Sequence, residues 1–211
     1  MSTSQSCNTP ATNFRRFARP FRYSLIVLAL MNLSPLRSLA QASHSHTMTQ
    51  DQKNKAGALI KAVRDATERF KDVAEAEREH YALIFGCVSG SDAGAMGLHY
   101  LNGDLLDEAN KTGILDPARP QIVLYEPTGE GGLRLTGADF VVFADAWNAK
   151  HPNDPPQLMG QLLHYFESPN RFGLPAFYTL HVWAWKANPE GAFVNWHPNV
   201  SCQSFAGQTT P

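Results

Sequence analysis

Three histidines of this chain stand inside apolar runs: His99 in MGLHYL, His164 in QLLHYFE and His181 in TLHVWAW. An imidazole among aliphatic and aromatic neighbours is costly unless its nitrogens are paired. Neutral imidazole is also the commonest protein ligand for zinc, copper and non-haem iron. Three such rings from different strands, plus one carboxylate, would build an open metal site. Glu126 in VLYEP supplies that carboxylate, as fourth ligand or general base, with Glu167 in HYFES in a comparable setting. The expected metal set is therefore His99, His164, His181 and Glu126, holding a divalent transition metal (zinc, copper or iron). His151 and His197 lie in proline-flanked loops and are expected outside it. No H-x-H, H-E-x-x-H or C-x-x-C pattern adds local support. The commoner fate of such histidines is a satisfied place in the core, each with its own carbonyl or carboxylate.

Aromatic density raises a second candidate. Trp183 and Trp185 alternate in HVWAWK, and flat rings suit ligand stacking. Tryptophans at strand spacing are more often core. A nucleophilic triad is weaker still, because G-x-S-x-G is absent and GCVSGSDAG lacks a strand-turn-helix setting.

The elements that must position these residues read as one helix and many strands. Leu59, Val63, Ala66, Phe70 and Val73 recur at steps of four and three, an apolar stripe on a charged helix from about Lys55 to Tyr81. YALIFGCVSG reads as a strand, and the glycines of SDAGAMGLHYLN allow close backbone approach or positive φ. Gly103 to Pro120 reads as a loop with at most a helical turn. QIVLYEP, the turn TGEGG and LRLTGADFVVFADAW make a β-hairpin, the last segment a long strand or a bent pair. QLLHYFES is a further strand. In Tyr178–Lys186 both strand faces are apolar, so a helix or sheet must cover one and a barrel or sandwich interior the other. The expectation is an α+β fold: one long N-terminal helix packed on an antiparallel β-rich, barrel- or sandwich-like domain.

The front of the chain reads as an address. Arg15, Arg16, Arg19 and Arg22 precede the apolar run YSLIVLALMNL, and Ala40-Gln41-Ala42 closes it. Basic start, short apolar core and A-x-A end describe a secretory signal peptide over residues 1–42. The apolar run is about half of the roughly 20 residues that span a bilayer, so no stable membrane span is expected after cleavage. Residues 43–54 then form a flexible tail, 55–205 a single domain, and 206–211 a C-terminal tail. Cleavage removes five arginines and leaves 13 Lys+Arg against 19 Asp+Glu, a net charge of −6. Such an acidic chain has no general attraction for nucleic acid. Cys87 and Cys202 remain, an even pair that reads as one disulfide in an oxidising compartment.

The segments GCVSG, GAMGLHYLN, LLDEAN, LDPARPQIVLYEPTGEGGLRLTGADF and NRFGLPAFYTLHVWAWKANPEGAFVNWHPNVSC resemble an uncharacterised family of exported bacterial proteins. The resemblance runs from about Ala66 to Cys202. It implies the bacterial envelope, periplasmic or secreted, and supports the disulfide, but it assigns no chemistry. His197 stands where that pattern carries Asn before proline, which counts against it as a ligand. Three functions remain open: a protein binding a small molecule or metal ion in a His- and aromatic-lined pocket, a metal-dependent enzyme, or a non-catalytic structural or interaction protein of the envelope.

Overall fold

The computed structural model describes residues 48–90 and 92–210. The signal-peptide assignment, and residues 43–47 of the predicted tail, lie outside the described residues. The chain opens with α1 (Gln50–Thr67), begun by a capping box in which the Thr49 hydroxyl accepts from the Gln52 amide and the Gln52 side chain accepts from the Thr49 amide. That cap starts the helix inside the stretch expected to be a tail.

The expected single helix is broken once. A 3-10 turn (Glu68–Lys71) follows α1, and Asp72 caps a new helix, α2 (Val73–Arg78), through its carboxylate and the Ala74 amide. Thr67 bonds back to the Val63 carbonyl at the break. Then come β1 (Tyr81–Ser89), β2 (Ala95–Asn102), α3 (Gly103–Thr112), β3 (Ile122–Pro127), β4 (Leu133–Phe143) and α4 (Ala144–Asn148). The short strands β5 (Gln157–Leu158), β6 (Gln161–Leu162) and β7 (His164–Phe166) precede β8 (Phe177–Val182) and β9 (Thr209–Thr210). One loop of the sequence reading is thus corrected. Asn102 caps α3 through the Leu105 amide and Gly113 closes it at φ +67°, which makes a full helix where a loop was expected. The last residues also pair with β1 rather than trailing as a tail.

Seven strands form one curled sheet, a half-barrel, in the order β7-β8-β4-β3-β2-β1-β9. Every pairing is antiparallel except β1 with β9. The α+β arrangement expected from the sequence is therefore the observed one. One sheet face carries Ala138, Phe140, Leu180 and Val182, onto which α1 lays Leu59 and Val63. Further along, Phe70 and Ala76 meet Leu98, Tyr100, Val123 and Tyr125. Burying a side chain of this size contributes about 1.5–3 kcal/mol. The broken helix is also held by the sheet's own donors. Tyr125 OH donates to the Phe70 carbonyl at 2.7 Å, and Trp185 Nε1 to Thr67 Oγ1 at 3.0 Å. The Cys87–Cys202 disulfide, with Cα atoms 5.7 Å apart, fastens this side. None of the described helices is long and apolar enough to cross a membrane.

The curl has local causes. In β1 the register slips between Ile84 and Cys87, so Phe85 and Gly86 form a bulge. A second slip falls between Leu124 and Tyr125, opposite Gly137, where a side chain would strike the Val182 carbonyl 2.1 Å away. Bulges bend and twist a strand. The concave face they produce is the one opposite α1.

Candidate metal centre

β8 lies three strands from β2, which in a flat sheet means about 14 Å at roughly 4.8 Å per strand. In this sheet His99 Nε2 on β2 and His181 Nε2 on β8 are 3.3 Å apart. The curl brings them together on the concave face. Asp139 on β4 stands directly opposite His181 in the register, with its Oδ1 3.6 Å from His181 Nδ1. His99, Asp139 and His181 each offer a ligand atom, and those atoms lie within 4.8 Å of one another. All three residues are buried, at 5%, 3% and 3% exposure.

Each group is oriented from behind. Gly97, at φ +88°, presents its carbonyl to His99 Nδ1 at 3.2 Å. A side chain at Gly97 would strike the Tyr125 carbonyl at 2.3 Å, so only glycine fits. With Nδ1–H donating to that carbonyl, His99 Nε2 carries the lone pair. Asp139 Oδ1 accepts from Thr179 Oγ1 at 2.6 Å and from the Leu180 amide at 3.1 Å. Both bonds fall on one oxygen, and no hydrogen bond among the described residues falls on Oδ2. His181 Nδ1 is buried without a hydrogen-bond partner among the described residues. Buried polar atoms are nearly always bonded, and an orphan at such a place calls for an explanation.

The electrostatics favour neutral rings. Burial pushes His99 down to about 4, helped by the neighbouring His181, with Asp139 and the Gly97 carbonyl opposing. Burial likewise lowers His181 to about 3, and His164 adds to the effect. Burial raises Asp139 to about 6, against the pull of His99 and the bonds from Thr179 and Leu180. Neutral imidazole is the form that binds a metal.

Above the cluster opens an apolar chamber of about 80 Å³. Ile122 and Val141 are buried in its floor; Phe85, Phe143, Phe166 and Phe172 stand half-buried around its mouth. Two imidazoles, one carboxylate and Thr179 are its polar part. No family model, no curated protein and no solved structure matches this chain. The chemistry must be read from the site itself.

The sequence-predicted ligands divide. His99 and His181 converge. His164 faces the same side, opposite Thr179 on the neighbouring strand, but is exposed and bonds Asn195 Oδ1 through Nδ1 at 3.1 Å. It sits at the rim, near enough to act electrostatically on His181 and Asp139. Glu126 is buried elsewhere: its Oε1 accepts from Arg134 Nη1 at 3.2 Å, and its Oε2 from Lys186 Nζ. Those two cations occupy both oxygens, so Glu126 is placed as the centre of an ion-pair cluster. Glu167 is exposed at the end of β7. His151 and His197 stay outside, as expected. His151 donates to the Gly113 carbonyl, and His197 is fully buried with both ring nitrogens bonded, to the Ala187 carbonyl and the Asn199 amide.

Neither tryptophan lines the chamber. β8 ends at Val182, so the expected alternation stops there. Trp183 donates Nε1 to the Val194 carbonyl and packs with Ala95 and Val200. Trp185 turns to the opposite side, beneath the Lys71 ammonium at 4.0 Å. Both serve packing. The residue that sequence reasoning missed is Asp139, hidden in TGADFVVF as the lone acid of a buried strand. An Asp between alanine and phenylalanine, in a run of apolar residues, was the available signal.

Proposed function

We propose that this is an exported binding protein whose His99, His181 and Asp139 hold a divalent transition metal with a coordination position open to the apolar chamber. One observation carries the reading. Two imidazole nitrogens bound at about 2.0–2.1 Å to one tetrahedral ion stand about 3.3 Å apart. That is the separation of His99 Nε2 and His181 Nε2. The Gly97 carbonyl behind His99 is the outer partner that metal-binding histidines usually have. Two imidazoles and a carboxylate are a donor set of both zinc sites and non-haem iron sites. The leader-like front of the sequence and the disulfide support export.

The test is metal stoichiometry of untagged protein, by elemental analysis after dialysis against Zn(II) or Fe(II). One equivalent is expected. His99→Ala, His181→Ala and Asp139→Ala should each lower affinity by more than about 100-fold, beyond the 10–100-fold typical of outer partners. Glu126→Gln and His164→Ala should keep the metal. Full metal retention by His181→Ala would overturn the reading.

A further inference from the structure

The chamber above the proposed metal has a definite chemistry of its own, and we propose that it takes a short-chain monocarboxylate, head on the metal and alkyl chain among the phenylalanines. This inference rests on the metal reading. Charge selects the head. A divalent ion with two neutral imidazoles and Asp139 keeps one net positive charge. No lysine or arginine lines the chamber among the described residues. A single anionic head therefore brings a buried site to neutrality, which burial in a low dielectric strongly favours.

Shape and polarity select the tail. Ile122, Val141, Leu106 and the phenylalanines offer it no hydrogen bond. A chamber of about 80 Å³ is about half the ~150 Å³ cavity that admits benzene. A chain of a few carbons fits that space. A second charge at the far end would be stranded in apolar surroundings.

The β1 bulge is an independent sign that this space is kept for a ligand. Phe85 lies at φ +61°, a region that bulky residues rarely adopt. Gly86 beside it, at φ +67°, lies so close to the next strand that a side chain would strike the Gln208 carbonyl at 1.9 Å. The bulge turns the Phe85 ring to the chamber mouth, 5.2 Å from the Phe172 ring. Bulges that re-aim a side chain, and backbone held in such regions, concentrate at functional sites.

The experiment is titration of the full chain, loaded with Co(II), with butyrate and with succinate, followed by the visible d–d spectrum. Butyrate should change the band and saturate, while succinate should bind at least about 100-fold more weakly, because its second carboxylate has no partner. Val141→Phe should remove the butyrate response and keep one equivalent of cobalt. Leu106→Trp, at the half-buried mouth, repeats that test where overpacking of the core is not a concern. Cobalt bound with no response to butyrate, or an equal response to both acids, overturns this inference and leaves the metal site standing. Absence of bound cobalt overturns the metal reading and the inference with it.

Discussion

The two faces of the sheet solve the same problem in opposite ways. On the face beneath α1, large side chains of helix and sheet pack on one another, and buried polar atoms there find partners among the described residues. Tyr125 finds the Phe70 carbonyl, and Trp185 finds the Thr67 hydroxyl. On the concave face, Asp139 is as buried as Glu126 but meets neutral imidazoles instead of cations, beneath a chamber left unfilled by side chains. One carboxylate is neutralised by the protein itself; the other is the one the proposed metal would neutralise. Stability belongs to the first face and selectivity to the second.

The largest effect expected from this division is on the helix-covered side. Replacing Cys87 and Cys202 by serine opens a link spanning 115 residues. In the chain-entropy picture such a link contributes roughly 4.7 kcal/mol. Denaturant midpoints should fall accordingly, while metal stoichiometry of the protein still folded stays at one. A loss of metal without loss of stability would break the comparison.

The next effect runs the other way. His99→Leu combined with His181→Leu removes both rings, and with them an unpartnered buried nitrogen. Replacing both members of a buried polar pair by apolar groups is close to neutral. The metal-free double variant should unfold at the same denaturant concentration as its metal-free parent, or higher, having lost all affinity for metal. A drop of several kcal/mol would show that the pair holds the fold together.

Acid should separate the same two proteins. In metal-free protein His99 and His181 are lowered to about 4 and about 3, below the ordinary value of 6.5. The unfolded chain therefore takes up two protons that the folded chain refuses, and stability falls as pH drops from about 6.5 toward 4. Asp139, raised to about 6 from 3.8, does the opposite over nearly the same range. The net is one proton, or about 1.4 kcal/mol per pH unit. The double leucine variant keeps only the Asp139 contribution, so its slope should reverse, with stability rising as pH falls toward 4. An unchanged slope would place the acid sensitivity elsewhere in the chain.

The smallest effect concerns Phe85. Phe85→Ala and Phe85→Gly lose the same ring, but only glycine relieves the positive φ. Phe85→Gly should be the more stable of the two by about 1 kcal/mol. Both should widen the chamber, so that hexanoate elicits the response that butyrate gives in the parent. Equal stability of the two variants would mean that the bulge relaxes when the ring is gone.

What could be read from the sequence was whatever repeats along it. The stripe Leu59–Val63–Phe70 announced the helix, and period-two alternation announced the strands and their two covered faces. The even pair of cysteines announced the disulfide. The convergence of His99 and His181 was partly legible, since polar rings in apolar strands demand partners. Asp139 was not, because its role depends on a register between β4 and β8 that no local pattern records. Glu126 looked equivalent to it from its neighbours alone. What distinguishes them is Lys186, sixty residues away, which folding brings to one carboxylate and not the other. The break before α2 and the whole of α3 were missed because each new start lies in a single cap, Asp72 or Asn102, rather than in any periodicity.

Trp183 has a further consequence. Its indole ring lies 6.2 Å from the His181 ring and 4.8 Å from that of His197. An open-shell ion such as Cu(II) held by His181 would stand close enough to this indole to drain its excited state. The protein thus carries a fluorophore at the edge of the proposed site, whose emission would report occupancy without any label. The other tryptophans supply a built-in background: Trp185 faces the helix, Trp147 stacks on His151, and Trp196 lies beneath Arg171. Light emitted by one residue can then count the ions held by another.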